Sequence, residues 1–208
     1  MVMEMKKKLN RKETYNKILD IAKAVAITKK GSMFIIGPKR KFEGNYELLF
    51  PQILVKHYVH EKGMEELLVR LAELDGAFLI SDEGELFAMG ARIKKSISLP
   101  GFGTRHAAAA GITSQIPDAT AVLVSEKIGW IRVFQNGKIV LETDGSKNPP
   151  TLTEKMIKFL TDKDTALVTA AGASAAIIGV IPIVVVSGTY LAVKTASGII
   201  RKNFTNEK

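Results

Sequence analysis

Short apolar runs alternate with segments of helical periodicity over most of the chain, and this alternation constrains the fold more than any other feature. Apolar runs bounded by turn-forming residues predict strands at residues 32–36, 77–81, 85–91, 119–125, 130–134 and 138–141. Helical spacing of apolar residues predicts helices over 64–74 and 105–112. Asn136-Gly137 lies between the last two runs and favours the type I′ turn of a β-hairpin. The sequence therefore predicts an α/β domain with a mixed central β-sheet flanked by helices.

The N-terminal region carries the excess positive charge. Residues 1–41 contain 12 Lys or Arg and 3 Asp or Glu, whereas residues 42–208 contain 18 of each. We predict a basic amphipathic helix within residues 1–30, extending from residue 4 to about residue 28. Its apolar stripe consists of Leu9, Tyr15, Ile18, Ile21, Ala22 and Val25. Such a helix either packs on its own domain or lies on anionic lipid or nucleic acid. Because the rest of the chain is neutral and has no basic-aromatic pattern, a nucleic-acid partner is disfavoured.

The C-terminal segment differs in kind, because residues 165–193 contain no charged side chain. This length and apolarity reach the threshold of about 20 residues for a transmembrane helix. We therefore expect an apolar helical segment within 164–208 that attaches the protein to a membrane, preceded by a connecting helix at 146–163. The alternative is a buried helix of a soluble protein, split at Pro182.

Composition and missing motifs exclude several classes of protein. The chain has no cysteine, which excludes a disulfide scaffold, an iron–sulfur protein and a cysteine nucleophile, and fits the cytoplasm. It has no Walker A sequence, no complete dinucleotide fingerprint and no Gly-x-Ser-x-Gly elbow. His57 and His60 have the spacing of a metal pair without a third ligand, so we interpret them as surface histidines.

Three segments carry residue types that suit a nucleotide site. Asp75-Gly76 joins a predicted helix to a strand, and combines a carboxylate for a hard cation with a glycine that permits close approach of a ligand. Residues 101–106 place two glycines, a threonine, an arginine and a histidine at the start of a predicted helix, which suits phosphate. Ser125-Glu126 ends a buried strand, where ligands of α/β sheets tend to bind. Each segment alone also reads as an ordinary turn, helix start or strand end.

Together, Asp75-Gly76-Ala77, Gly103-Thr104-Arg105-His106 and Val124-Ser125-Glu126 resemble a known family. Their order and approximate spacing are similar to the Asp-Gly-Ala, Arg-His-Arg and Val-Ser-Glu elements of diadenylate cyclases, over about residues 18–141. The resemblance, which is to archaeal-type members, implies a cytoplasmic catalytic domain at 31–145. It also implies that two ATP molecules are condensed into cyclic di-AMP and two pyrophosphates across a face-to-face homodimer or higher homo-oligomer.

The resemblance further implies a role for each matched residue. Asp75 and Glu126 would bind Mg²⁺ or Mn²⁺. Catalysis would depend on Asp75, Gly76, Thr104, Arg105 and His106. The ATP-binding residues would be Gly76, Ala77, Ile93, Gly103, Thr104, Arg105, His106 and Ser125.

The chain departs from the family motif at Ala107, where bacterial members have a second arginine. We interpret the alanine as a trait of archaeal-type members, in which a helix of small residues follows Gly-Thr-Arg-His. The missing cation would then be supplied by another side chain, such as Arg92, Lys94, Lys95 or Arg132. The alternative is a nucleotide-binding regulator that has kept the fold and lost the turnover.

Overall fold

A computed structural model of the protein describes residues 8–53, 56–126, 128–145, 175–178, 181–186 and 189–192. The helices are α1 (Arg11–Ile27), α2 (Met64–Arg70) and α3 (Thr104–Gln115). The first eight strands are β1 (Ser32–Ile36), β2 (Tyr46–Leu48), β3 (His57–Tyr58), β4 (Ala77–Ile80), β5 (Glu85–Ile93), β6 (Thr120–Val124), β7 (Trp130–Gln135) and β8 (Lys138–Asp144). The predicted strands are therefore confirmed to within a few residues.

These eight strands form one mixed sheet. Its order is β2-β5-β4-β1-β6-β7-β8, and β3 adds to β5. Strands β1 and β4 are parallel, whereas β1 and β6, β4 and β5, β6 and β7, and β7 and β8 are antiparallel. The predicted architecture of a mixed sheet flanked by helices is confirmed. The short hairpin between β7 and β8 also agrees with prediction, since Asn136 and Gly137 both have positive φ, at 51° and 74°.

Helices cover both faces of the sheet, so its central strands are buried on two sides. Alternate residues of β1 divide between the layers: Phe34 and Ile36 belong to the core under α1 and α2, and Met33 and Ile35 to the core under α3. All five residues of β1 are buried, as are all five of β6. This two-sided burial explains why these strands read as continuous apolar runs.

Helix α1 begins later than the sequence predicts. It starts at Arg11 because Asn10 caps it: the Asn10 side chain accepts from Glu13 N–H at 2.9 Å, and the Glu13 carboxylate accepts from Asn10 N–H at 2.8 Å. Leu9 of the predicted apolar stripe precedes the helix and is only partly buried, whereas the stripe residues from Tyr15 to Val25 are fully buried. The helix thus packs on its own domain, which is the simpler of the two interpretations. Residues 1–7 lie outside the described chain.

The described part of the C-terminal segment forms strands, where the sequence leads us to expect a helix. Strands β9 (Ala175–Ile178), β10 (Ile181–Val186) and β11 (Thr189–Ala192) make a separate antiparallel sheet in the order β11-β10-β9. Dense β-branched residues favour strands over a helix. No helix in the described ranges is long and apolar enough to cross a membrane. The connecting helix expected at 146–163 lies outside the described residues.

Candidate active site

The three sequence motifs described above all lie at one end of the sheet. Because β1 and β4 are parallel, the residues that precede both strands lie at the same end. The antiparallel partners β5 and β6 end there, with Ala91 opposite Ala77 and Val124 opposite Ser32. Helix α3 also begins near this end, since Arg105 approaches Glu126. The topology therefore brings together segments that are far apart in the sequence.

The Asp75-Gly76 turn is shaped by close contact with β5. Gly76 has φ of +88°, and a Cβ there would lie 2.5 Å from the carbonyl carbon of Gly90 and 2.8 Å from the nitrogen of Ala91. Only glycine satisfies both the left-handed conformation and this backbone contact. The Asp75 carboxylate is exposed and accepts a hydrogen bond from Gly76 N–H at 2.9 Å. The turn thus presents a solvent-facing carboxylate on a tightly fixed backbone.

Arg105 and Glu126 meet at the start of α3. Nη1 of Arg105 lies 4.0 Å from Oε2 of Glu126, and both side chains are partly accessible. Gly31, immediately before β1, makes room for the pair: a Cβ there would overlap Nη1 of Arg105 and lie 3.1 Å from Cβ of Glu126. Gly103 gives the helix no side-chain cap, and Thr104, the first residue of α3, is exposed. A guanidinium beside a helix N-terminus favours an anionic ligand.

His106 lies on the inner side of the same turn. Its imidazole contacts the ring of Phe102, with centroids 4.7 Å apart, and Nη1 of Arg132 lies 3.1 Å from its Nε2. Burial lowers the pKa of His106 to about 4, and the positive charge of Arg132 acts in the same direction. The ring is therefore neutral at pH 7.

Ser125 and Glu126 begin the connection from β6 to β7. Ser125 N–H donates to the Trp130 carbonyl at 2.8 Å, and the Ser125 carbonyl accepts from Gly129 N–H at 2.9 Å. These backbone bonds fix the turn while Glu126 stays exposed. Ser125 is therefore held at the same sheet end as Asp75.

Two predicted nucleotide contacts belong to the core. Ala77 is fully buried, and Ile93 is 9% exposed and packs in the core under α3. Either would reach a ligand chiefly through its backbone or a small part of its side chain.

The two predicted metal ligands do not lie side by side. Asp75 precedes β4 and Glu126 follows β6, and β1 lies between these strands. Two strand spacings amount to about 10 Å. Among the described residues, no group of three or more His, Asp or Glu side chains is arranged to hold a metal ion. His57 pairs with Glu61 at 2.8 Å, as expected of a surface histidine.

The basic residues considered as replacements for the arginine missing at Ala107 differ in whether they are exposed and whether they already have a partner. Arg92 pairs with Glu47 at 2.5 Å. Arg132 is buried and engaged with Glu142 as well as His106. Lys94 and Lys95 are exposed. The lysines are thus the more accessible positive charges after β5.

Sequence reasoning missed the residues that support the motifs. Gly31 was visible only as a helix break, and Gly90 as part of an apolar run. Arg132 was visible only as a candidate cation, and its pairing with Glu142, directly opposite it on β7 and β8, was missed. An arginine and a glutamate facing each other across a predicted hairpin were the available signal for that pair.

Fold and site together define an α/β domain with a sheet end suited to a nucleotide's phosphates. The chain belongs to the DAC family, described as the DisA bacterial checkpoint controller nucleotide-binding family, whose model matches residues 20–139. The predicted family is therefore confirmed.

Similar curated proteins come from archaea. The chain is 42% identical over 93 residues to a diadenylate cyclase of Methanocaldococcus jannaschii, covering 43% of this chain and 30% of that protein. It is 34% identical over 120 residues to a diadenylate cyclase of Haloferax volcanii, covering 55% of this chain and 44% of that protein. The chain thus spans less than half the length of these relatives.

Two solved structures have a similar fold. DacA from Staphylococcus aureus, as a double mutant with two introduced cysteines, has a TM-score of 0.51 at 23% identity, covering 70% of this chain and 93% of that one. A hypothetical membrane spanning protein from Bacillus cereus has a TM-score of 0.51 at 20% identity, covering 65% and 64%. At these identities the likeness concerns the fold.

Proposed function

We propose that the protein is a diadenylate cyclase that converts two ATP into cyclic di-AMP and two pyrophosphates. Membership of the DAC family and the names of the archaeal relatives support this activity. The observation that carries it is that Asp75, the Arg105–Glu126 pair and the start of α3 all lie at one end of the sheet. A carboxylate beside a cationic, N–H-rich surface suits a nucleotide with its metal.

The reaction requires two nucleotides that face each other. Each 3′-hydroxyl attacks the α-phosphorus of the other ATP, loses its proton, and displaces pyrophosphate, so two phosphodiester bonds form as two phosphoanhydride bonds break. Such phosphoryl transfer depends mainly on positioning and charge stabilisation. One domain with one ATP cannot supply both reactants. We therefore infer a symmetric dimer that brings two copies of this sheet end together.

Within each site, the role of each residue would follow from the chemistry of its side chain. Arg105 and Thr104 would bind phosphate oxygens together with the first N–H groups of α3, and the ring of His106 would donate a further hydrogen bond. Gly76, whose side-chain position is filled by the backbone of β5, would lie against the nucleotide through its own backbone. Ser125 would contact phosphate, and Glu126 would hold Arg105 in place or join the metal shell.

A divalent cation fits this donor set when the substrate completes it. Mg²⁺ is commonly held by one or two carboxylates, several waters and substrate phosphates. Asp75 is exposed and can supply one such carboxylate. When bound, Mg²⁺ or Mn²⁺ would neutralise charge on the phosphates and the leaving pyrophosphate. Asp75 would also accept the proton of the attacking hydroxyl.

Incubation of the 208-residue chain with ATP and either metal, followed by mass spectrometry, tests the proposal. We expect cyclic di-AMP from the parent protein and none from Asp75→Asn. Glu66→Gln is the matched control, because Glu66 is a surface carboxylate paired with Arg70 on α2. ATP binding without product in the parent protein would reject the cyclase and favour the regulator, the interpretation that Ala107 supports. Equal activity of Asp75→Asn would refute the assigned carboxylate.

Membrane attachment through residues 165–193 is a separate proposal. It rests on the absence of charge in that segment. Recovery of the whole protein in the supernatant after gentle lysis and ultracentrifugation would refute it.

A further inference from the structure

The Arg132–Glu142 pair occupies an unusual position for an ion pair. The two side chains are only 10% and 14% exposed, and Nε of Arg132 donates to the Glu142 carboxylate at 2.5 Å. The guanidinium also lies over the rings of Phe102 and Trp130, 5.1 and 5.8 Å from their centroids. Burying both charges costs desolvation energy that the attraction often only balances. Stability alone is therefore a weak explanation for the pair.

The guanidinium points one donor at His106. Nη1 of Arg132 lies 3.1 Å from Nε2 of His106. Arginine stays protonated and can only donate, so Nε2 must accept. A neutral imidazole has one proton, and that proton must then reside on Nδ1.

We propose that Arg132 is a positioning residue that holds His106 in its neutral Nδ1–H tautomer, so that His106 serves an anionic ligand as a hydrogen-bond donor and cannot act as a base. The inference rests on the proposed function only in naming nucleotide phosphate as the anion. Glu142 contributes to this positioning, because its carboxylate accepts a hydrogen bond from Nε of Arg132 and compensates the charge of the guanidinium. This arrangement is the common one in which a partner on one ring nitrogen sets the proton on the other.

The surroundings of His106 support a fixed neutral ring. Strands β7 and β8 contribute Arg132 and Glu142, and α3 contributes Arg105, which itself faces Glu126. The rings of Phe102 and Phe134 also lie against the imidazole. Burial is the larger cause of the lowered pKa of His106, and protonation of Nε2 would also break the hydrogen bond and place an imidazolium against the Arg132 guanidinium.

Imidazole nitrogen NMR of the full chain tests this directly and does not depend on turnover. Long-range ¹H–¹⁵N spectra distinguish the two neutral tautomers, and His57 and His60 serve as internal references. We expect the parent His106 to show Nδ1–H and to titrate near pH 4. In Arg132→Met, the tautomers should mix and the midpoint should move toward 6.5, the ordinary histidine value. An Nε2–H tautomer in the parent protein would overturn the proposal.

Two further variants protect the test from structural artefacts. Arg70→Met removes an exposed arginine from an ion pair on α2 and should leave the His106 spectrum unchanged. The double variant Arg132→Met, Glu142→Leu avoids a buried carboxylate without a partner, so it should fold even where the single variant does not. If this double variant retained the parent tautomer and midpoint, Arg132 would have no positioning role.

A pH profile supplies the functional readout. Loss of one neutral donor costs about 1 kcal/mol, or about fivefold in kcat/KM. At pH of about 7.5 we expect Arg132→Met to lose about that much, and to recover part of it at pH of about 6, where protonation restores a donor on Nδ1. A loss that is equal at both pH values would indicate a purely structural role. If no cyclic di-AMP forms at all, the proposed function fails while the NMR result still decides the tautomer.

Discussion

Replacing Gly76 with alanine would test whether this turn is fixed by its backbone conformation, by its contact with β5, or by both. A left-handed conformation costs a non-glycine residue about 1–2 kcal/mol. Alanine recovers about 0.4–1 kcal/mol by restricting the unfolded chain. The contact is separate, because the new Cβ would lie 2.5 Å from the Gly90 carbonyl carbon. Overpacking against backbone adds about 1–3 kcal/mol. We therefore expect Gly76→Ala to lower the free energy of unfolding by about 3 kcal/mol.

Gly44→Ala isolates the conformational part. Gly44 has φ of +77°, close to that of Gly76, and a Cβ there would meet nothing within 4 Å. We expect Gly44→Ala to lower the free energy of unfolding by only about 1 kcal/mol. For a protein of this size, each kcal/mol shifts Tm by about 2–4 °C. Thermal unfolding followed by circular dichroism should thus show losses of about 9 °C for Gly76→Ala and about 3 °C for Gly44→Ala. Equal losses would refute the close contact with β5.

Three other perturbations have defined outcomes. Gly31→Ala should displace the Arg105 guanidinium and weaken ATP binding about tenfold by calorimetry, since a charged hydrogen bond contributes about 1.5 kcal/mol or more; unchanged affinity would remove Arg105 from the phosphate site. Asn10→Ala should lower stability in urea by about 1 kcal/mol through loss of the α1 cap, and no change would contradict the capping box. Because the folded-state pKa of His106 is about 4, the unfolded chain binds more protons between pH 4 and 6.5, so stability should rise with pH across that window. Urea titrations of His106→Gln should show a shallower rise, and identical slopes would contradict the lowered pKa.

The sequence predicted those parts of the fold that local pattern determines. Strands β1 and β6 could be predicted because burial on both faces of the sheet makes each a continuous apolar run. The β7–β8 hairpin was legible because Asn136-Gly137 suits two successive residues of positive φ. The start of α1 was misjudged because the lysines before Asn10 fit helical periodicity as well as those after it, and the cap decides the boundary.

The predicted site residues were found by motif, whereas the contacts among them depend on strand order. Nothing in the sequence states that β1 lies between β4 and β6, which separates Asp75 from Glu126. The same order brings Glu126 to Arg105 instead. In the C-terminal segment, sequence pattern alone does not decide the structure, because an uncharged run suits a helix or a strand and only its length favours the helix.

The pairing of β1 with β6 also has a consequence for the order of events in folding. Ser32 is opposite Val124, so the centre of the sheet closes only after the intervening chain has been synthesised. Contacts of such long sequence separation form slowly, because the loop-closure entropy is lost before the pairing energy is gained. Gly31 and Glu126 flank this pairing and lie against the Arg105 side chain. A nascent or partly folded chain in which β1 and β6 are not paired therefore lacks the surroundings that position Arg105. Nucleotide should therefore bind only the completed domain and slow its global unfolding, without protecting any fragment of it.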